Sequence, residues 1–328
     1  MLKLPHRRQL LHLAAGAAAL PAASRIARAQ SYPSRPVRVI VPFGVGGPTD
    51  IFARVIAQRL SENLGRQFYV ENIGGGGGNI GYAQTAKGAP DGHTLLVTSN
   101  SYVINPVFFD KVPYDPYKDF DPVTVAVALT VVLSVNPSVP AKTVAELVSL
   151  IKTNPGKYNF ASGGTATQSH LSGEQFRVAL GLDLVHVPFK SGGDSTASVV
   201  AGHTTMTFGS PAQAVQSIRD GSLRALSVAS KARSQLLPDI PTMAEAGYPE
   251  LEGENWMGVL VPAKTPKDIV TLLHREIVKS IASPEMKERL AALGFDPVGG
   301  TPEEFTARIK GETVTWGKVI RAANIKAE

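Results

Sequence analysis

Two glycine-rich turns early in this chain have the makings of a site that holds a negative charge with main-chain groups alone. The first, Phe43-Gly44-Val45-Gly46-Gly47-Pro48-Thr49-Asp50, follows the β-branched run Val37-Arg38-Val39-Ile40-Val41. The second, Gly74 to Gly78 and then Asn79-Ile80-Gly81, follows Phe68-Tyr69-Val70-Glu71-Asn72-Ile73. Where a strand opens through such a turn into a helix, the first helical N–H groups lack internal acceptors and lie at the positive end of the helix dipole. The N–H groups around Gly46, Gly47 and Thr49 are therefore candidates to cradle a carboxylate. Asp50 reads two ways, as an acid favoured by the dipole in a first helical turn or as a ligand contact. Gly76 to Gly81 fits G-x-G-x-x-G, yet it follows the second strand, and the next strand closes on Thr98-Ser99-Asn100 instead of an acid. Neither turn ends in Gly-Lys-Ser/Thr, which excludes a nucleotide P-loop. An anion smaller than a nucleotide fits better.

The device recurs further on. Strand Tyr158 to Ala161 opens into Ser162-Gly163-Gly164-Thr165, and strand Leu184 to Pro188 into Phe189-Lys190-Ser191-Gly192-Gly193-Asp194. Ser162, Thr165, Thr167 and Gln168 offer neutral donors. Lys190 is the only cation in any of the four turns, either a ligand partner or a solvated surface group. Gly192 and Gly193 let main-chain N–H groups approach closely, and Asp194 reads as the next helix's N-cap. Of the seven histidines (His6, His12, His93, His170, His186, His203 and His274), none makes an H-E-x-x-H pair. His170, between Ser169 and the more distant Asp194, is the one conceivable triad member, but no G-x-S-x-G elbow accompanies it. With no cysteine either, there is no thiolate metal site or disulfide framework. No catalytic residue, metal or cofactor is expected.

The first 29 residues read as an export signal. Lys3, Arg7 and Arg8 form a basic head, Leu10 to Leu20 an apolar core too short for a permanent span of ~20 residues, and Ala27-Arg28-Ala29 a cleavage site. The Arg7-Arg8 pair admits twin-arginine export as well as the ordinary secretory route. Removing the signal's five basic residues (Lys3, Arg7, Arg8, Arg25, Arg28) takes the formal charge from +6 to +1. That near-neutral balance gives no support for a nucleic-acid surface. The roughly 300 residues left exceed one typical domain.

Elements that would position the four turns can be read from periodicity. Ile51, Phe52, Val55, Ile56, Leu60 and Leu64 fall at helical spacing before Gly65. Thr94 to Thr98 is a third strand, followed by a loop from Val112 to Pro122. Val123 to Val135 reads as two strands. A helix is expected over Val144 to Lys152 and another from about Ser169, with strands at Thr204 to Phe208 and Leu223 to Val228. Three helices, Ile269 to Ile281, Glu285 to Leu293 and Glu303 to Ile325, close the chain. The alternation implies α/β units around mainly parallel sheets, in two lobes that close by hinge motion, with ligands beyond the carboxyl ends of the strands. Residues 31–130 with 255–328 are assigned to the first lobe and 131–254 to the second. Pro137 to Pro140 reads as a crossing point and Leu260 to Pro262 as the return.

Longer stretches then carry a resemblance. Val41 to Asp50, Glu71-Asn72 through Gly81, Pro113-Tyr114-Asp115-Pro116-Tyr117-Lys118-Asp119-Phe120, Val187-Pro188-Phe189-Lys190, Pro241 to Pro249 and Trp256 through Pro266 resemble the periplasmic receptors of tripartite tricarboxylate transporters, the Bug or TctC-like receptors. The resemblance covers nearly all of residues 31–328. It implies a type II-like periplasmic-binding-protein fold with two crossing strands and a cleft between lobes. It further implies a monomeric receptor, free in the periplasm, that carries a small organic carboxylate to membrane permease subunits. A sensor that presents its bound form to a signalling partner, and a cleft enzyme, are the competing classes. The same resemblance implicates Phe43, Gly46, Gly47, Gly77 and Asn79 in the first lobe, and Ser162, Gly163, Thr165, Gln168, Lys190 and Gly192 in the second. With them stand Thr49, Asp50 and the strand-tip residue Ser99. Two departures bear on the ligand's far end: Lys190-Ser191 replaces the family's Lys-Gly, and Gly202-His203-Thr204-Thr205 its Gly-Gln-Val-Asp.

Overall fold

The alternating pattern folds into two mixed sheets, each with helices on both faces. The computed structural model describes residues 32–165, 167–189 and 191–325. The export signal and Lys190 lie outside the described residues.

In the first sheet, β1 (Val37–Val41) pairs in parallel with β2 (Phe68–Asn72) and β3 (Thr94–Ser99). β4 (Phe120–Leu129) and β10 (Asn255–Pro262) extend it, with the short β11 (Asp296–Pro297) at the edge, in the order β11-β4-β10-β3-β1-β2. The second sheet runs β7-β6-β8-β5-β9, formed by β5 (Val132–Val135), β6 (Tyr158–Ser162), β7 (Leu184–Pro188), β8 (Met206–Gly209) and β9 (Arg224–Val228). β10 is antiparallel to both neighbours, as is β5 in the second sheet. The expectation of mainly parallel sheets is corrected at these strands. β5 continues straight on from β4, so its direction is set by the crossing between sheets, not by a helical crossover.

The crossing points also differ from the sequence reading. The chain leaves the first sheet after Leu129 and has joined the second by Val132, upstream of Pro137 to Pro140. It is back in the first sheet at Asn255, so Leu260 to Pro262 is the end of β10 and not a return. The first passage is made within buried chain and the return within half-buried chain, and prolines mark turns without marking a change of sheet.

The core follows the helical periodicity. Helix α1 (Pro48–Leu64) buries Phe52, Val55, Ile56 and Leu60 against one face of the first sheet, and Gly65, at φ 67°, ends it. The facing side packs Tyr82 and Tyr102 with Phe305, Ile309 and Trp316. In the second lobe, helix α5 (Gln168–Leu180 by chain order, after α2 Asn79–Ala86, α3 Ser101–Phe108 and α4 Val144–Thr153) covers Phe160. Gly173 lets it approach, since a Cβ there would stand 2.2 Å from the Phe160 ring. Leu171 of the same helix packs into the first lobe's cluster, so α5 touches both halves. α6 (Gly192–Val200) and α7 (Pro211–Arg219) lie on the opposite face.

Candidate functional site

The first glycine turn is held by an ionic knot. Gly46, at φ 84°, turns the chain so that its N–H donates to Asp50 Oδ2 at 2.9 Å. Arg54 reaches the same carboxylate at 3.0 and 3.1 Å. Asn72, at the end of β2, donates to Asp50 Oδ1 at 2.9 Å and to the Phe43 carbonyl at 3.1 Å. Burial alone would raise the Asp50 carboxyl. Its bonds from Arg54, Gly46 and Asn72 outweigh that and hold it below the usual carboxylate value. Asp50 is 2% exposed and its oxygens are taken up by protein donors, so it fixes the turn. The Gly46 N–H, expected to face an anion, is spent on the same knot.

What α1 leaves open is its own start. Pro48 occupies the first helical position, where its missing N–H costs nothing. Gly47 supplies no side-chain cap. The first-turn N–H groups of Thr49 and Asp50 have no acceptor within the helix, while the Thr49 hydroxyl turns inward to Met257 Sδ at 3.3 Å. In the second turn, Gly75, Gly76, Gly77 and Gly78 all adopt positive φ, between 57° and 123°, a run open only to glycine. Asn105 braces it by donating to Gly77 O and Asn79 Oδ1, each at 2.9 Å. Phe43 sits against Gly78. Ser99 is buried, donating to Ser101 at 3.3 Å.

The second lobe's turns are locked together by contact. A Cβ on Gly163 would stand 2.8 Å from Gly192 N, so only glycine lets the two backbones meet. The Gly163 N–H donates to Ser169 Oγ at 3.0 Å. Ser162, fully buried, has its Oγ 2.6 Å from His186 Nε2. Gln168 accepts from Asn100 of the first lobe and donates to Ser172 at 3.1 Å. Thr165 is exposed on the turn. Ser191, not Asp194, caps α6: its hydroxyl accepts the Asp194 N–H at 3.1 Å and donates to the Asp194 carboxylate at 2.8 Å. Asp194 is therefore engaged with Ser191 and does not complete a triad with His170. Among the described residues no His/Cys/Asp/Glu group could hold a metal.

Between the lobes lies a cavity of about 480 Å³. Four helix starts open on it: Pro48 of α1, Gln168 of α5, Gly192 of α6, and Ser210 with Gln213 at the head of α7. Thr130 on the crossing segment and Asn255 at the start of β10 line it with polar groups, and Ile51, Leu129, Val131, Phe208, Leu293 and Phe295 supply apolar wall. None of its described lining residues is charged. Asn255 Oδ1 is buried without a hydrogen-bond partner among the described residues. Of the residues singled out from sequence, Gly163, Thr167, Gln168 and Gly192 line the cavity directly. Phe43, Gly46, Gly47, Thr49, Asp50, Gly77, Asn79, Ser99, Ser162 and Thr165 stand outside its lining, though Thr49 and Asp50 follow directly on Pro48, which is part of it.

Sequence reasoning missed the head of α7, Asn255 and the bracing Asn72 and Asn105. Ser210-Pro211 is a legible helix start, a small polar residue before proline, but it is preceded by the single Gly209 and not by a glycine-rich turn. A larger groove of about 680 Å³ runs along the C-terminal helix Pro302–Ala322. Its nearest helix start is closed by the Thr301–Glu304 capping box, and Arg308 there is paired with Glu254 and Glu312. Its unspent donors, the Lys231 side chain and the buried Trp316 Nε1–H, do not include an open helix start.

Comparison with known proteins decides the family. The TctC model, for the tripartite tricarboxylate transporter family receptor, matches residues 52–325. The chain belongs to this receptor family. It is 36% identical over 300 residues to Protein BugT of Bordetella pertussis, covering 91% of this chain and 92% of that protein. A solved structure described as a periplasmic transporter is 41% identical, with a TM-score of 0.74 over 90% of this chain and 99% of the other. An R. palustris protein solved with adipate is 32% identical, with a TM-score of 0.74 and the same coverage. The TctC/Bug receptor is thus a two-lobed solute-binding protein of a periplasmic family whose members are receptors, not enzymes. Among the described residues, no helix is long and apolar enough to cross a membrane.

Proposed function

We propose that this receptor, exported to the periplasm, captures a small organic carboxylate between its lobes and delivers it to the membrane permease of a tripartite tricarboxylate-type transporter. The observation that carries the reading is the convergence of four helix starts on one cavity whose described lining holds no charged side chain. Each helix start carries about half a positive charge, so four together contribute about +2. That is enough to offset one or two carboxylates without a cation to fix their geometry. The adipate held by the R. palustris relative supports a ligand of this class.

In this reading the first lobe presents the Thr49 and Asp50 N–H groups, and closure brings Gly163, Gln168 and Gly192 onto the ligand from the other side. Charge-assisted hydrogen bonds from such groups contribute roughly 1.5–3 kcal/mol each. The residues on the far wall, among them Gln213 and Asn255, set which acid is accepted. A thermal-shift panel of acetate, succinate, adipate, malate, citrate and benzoate tests the proposal. An acid present at a hundred times its Kd adds about 2.7 kcal/mol, a rise of several degrees in a protein of this size. If no acid raises Tm while the corresponding amines or neutral esters do, the receptor binds something other than a carboxylate.

A further inference from the structure

Beneath the second lobe's two turns lies a stack of three rings whose part in the site is not explained by packing alone. His186 of β7 stacks on His170 of α5 with centroids 3.9 Å apart and planes within 16°, and on Phe160 of β6 at 4.9 Å. Its Nε2 stands 2.6 Å from Ser162 Oγ. That hydroxyl oxygen in turn accepts the Gly164 N–H at 3.2 Å. The Ser162 carbonyl accepts the Phe189 N–H at 2.8 Å. One residue therefore anchors both the turn that begins at Gly163 and the turn that leads to Gly192.

We infer that His186 is a positioning residue for the ligand cleft: as a neutral acceptor of the Ser162 hydroxyl, it fixes the oxygen that holds Gly164 and so seats Gly163 against Gly192. The inference rests on the cleft reading given above. It follows from hydrogen-bond valence. A hydroxyl has one proton and two lone pairs. In the tautomer with the ring proton on Nδ1, that hydroxyl proton goes to His186 Nε2, and the oxygen is left as an acceptor for the Gly164 N–H. A protonated imidazole would itself donate, and the Ser162 proton would turn to the Gly164 carbonyl, 3.2 Å away, a change the Gly164 amide would report. The surroundings favour the neutral ring. His186 faces His170, and beyond it on α5 lie Glu174, 3.9 Å from His170 Nε2, and Arg177, paired with Glu174 at 2.7 Å. Burial holds His186 neutral down to about pH 4. Burial, then His186 and Arg177, bring His170 to the same value.

A purely structural stack would be satisfied by any aromatic ring, which separates the two explanations. His186→Phe keeps the stack and removes the acceptor. Ser162→Ala removes only the hydroxyl. Both are expected to leave the unliganded Tm within a few degrees of wild type and to speed hydrogen exchange at the Gly163 and Gly164 amides at least tenfold. Exchange in β8 should stay unchanged, which distinguishes local release from unfolding. His186→Gln, which restores an acceptor, should recover part of the protection. With adipate as probe, both losses should weaken binding about tenfold. In wild type the Gly164 amide ¹⁵N shift should titrate together with the His186 ring, and in Ser162→Ala it should not. Unchanged exchange at Gly163 and Gly164 in either variant overturns the inference. If adipate fails to bind wild type, the exchange and titration results still decide it, and only the ligand assignment is lost.

Discussion

The two lobes solve one problem, how to hold a glycine turn still at the head of a helix, with opposite chemistry. In the first lobe an ionised carboxylate does it: Asp50 gathers Gly46, Arg54 and Asn72 around a full charge. In the second a neutral relay does it: Ser162 and His186 beneath, with Gly163 wedged on Gly192. In the first lobe's Asp50 turn, Gly46 is needed for its positive φ and has open space about it. The second lobe's Gly163 is needed because a backbone lies where its side chain would be. The Asp50 turn is thus fixed by charge and torsion, the Ser162 turn by contact and neutral hydrogen bonds, and each should fail in its own way.

The strongest break should come at the contact. Gly163→Ala places a Cβ 2.8 Å from Gly192 N and must part the two turns. Overpacking of this kind costs about 1–3 kcal/mol, and with both turns displaced, calorimetric titration with the acid that stabilises wild type should show at least a hundredfold loss of affinity. Next is the charge. Asp50→Asn turns an amide toward donors and forfeits bonds to a charged group, about 2 kcal/mol. A denaturant midpoint should register that loss, together with about tenfold weaker ligand binding.

Acid should separate the lobes in order. His170 and His186 titrate at about 4 in the folded protein against 6.5 ordinarily. Above pH 6.5 both states are neutral there. As pH falls from 6.5 to 4 the unfolded chain binds protons that the folded chain does not, so stability drops across that window. Asp50 has its folded value lowered from 3.8, and its contribution is retained until pH falls below about 4. Hydrogen exchange followed by pH should therefore show β6–β8 losing protection before β1–β3. Loss in the reverse order would contradict the assignment of chemistries. The mildest test is Gly46→Ala, where only the positive φ is at stake. A cost of about 1 kcal/mol in stability is the expected reading of its thermal midpoint.

Much of this was legible in the chain, because hydrophobic period and glycine turns report local structure directly. The α1 stripe from Ile51 to Leu64 and all four turns lie where the residues indicated. Strand direction was not legible: an apolar run such as Val123 to Val135 reads alike whether it crosses between sheets or doubles back within one. The crossing was sought at prolines, yet Thr130 and Val131 make it inside buried chain. Asp50 could be placed at a helix start, but its choice of protein partners over ligand depends on Asn72 and Arg54 arriving from different elements. Asn255 and Gln213 carry no pattern at all. They matter only because the fold brings the start of β10 and the head of α7 to the same cavity.

The central claim is that main-chain N–H groups at helix starts, not ionic side chains, grip the ligand. A crystal structure of the receptor with the acid that gives the largest thermal shift tests it most directly. A carboxylate within 3.2 Å of main-chain nitrogens at the starts of α1, α5, α6 or α7 is the predicted result. The same acid lodged beside Arg308 and Lys231 in the groove along the C-terminal helix, with the inter-lobe cavity unused, would contradict it.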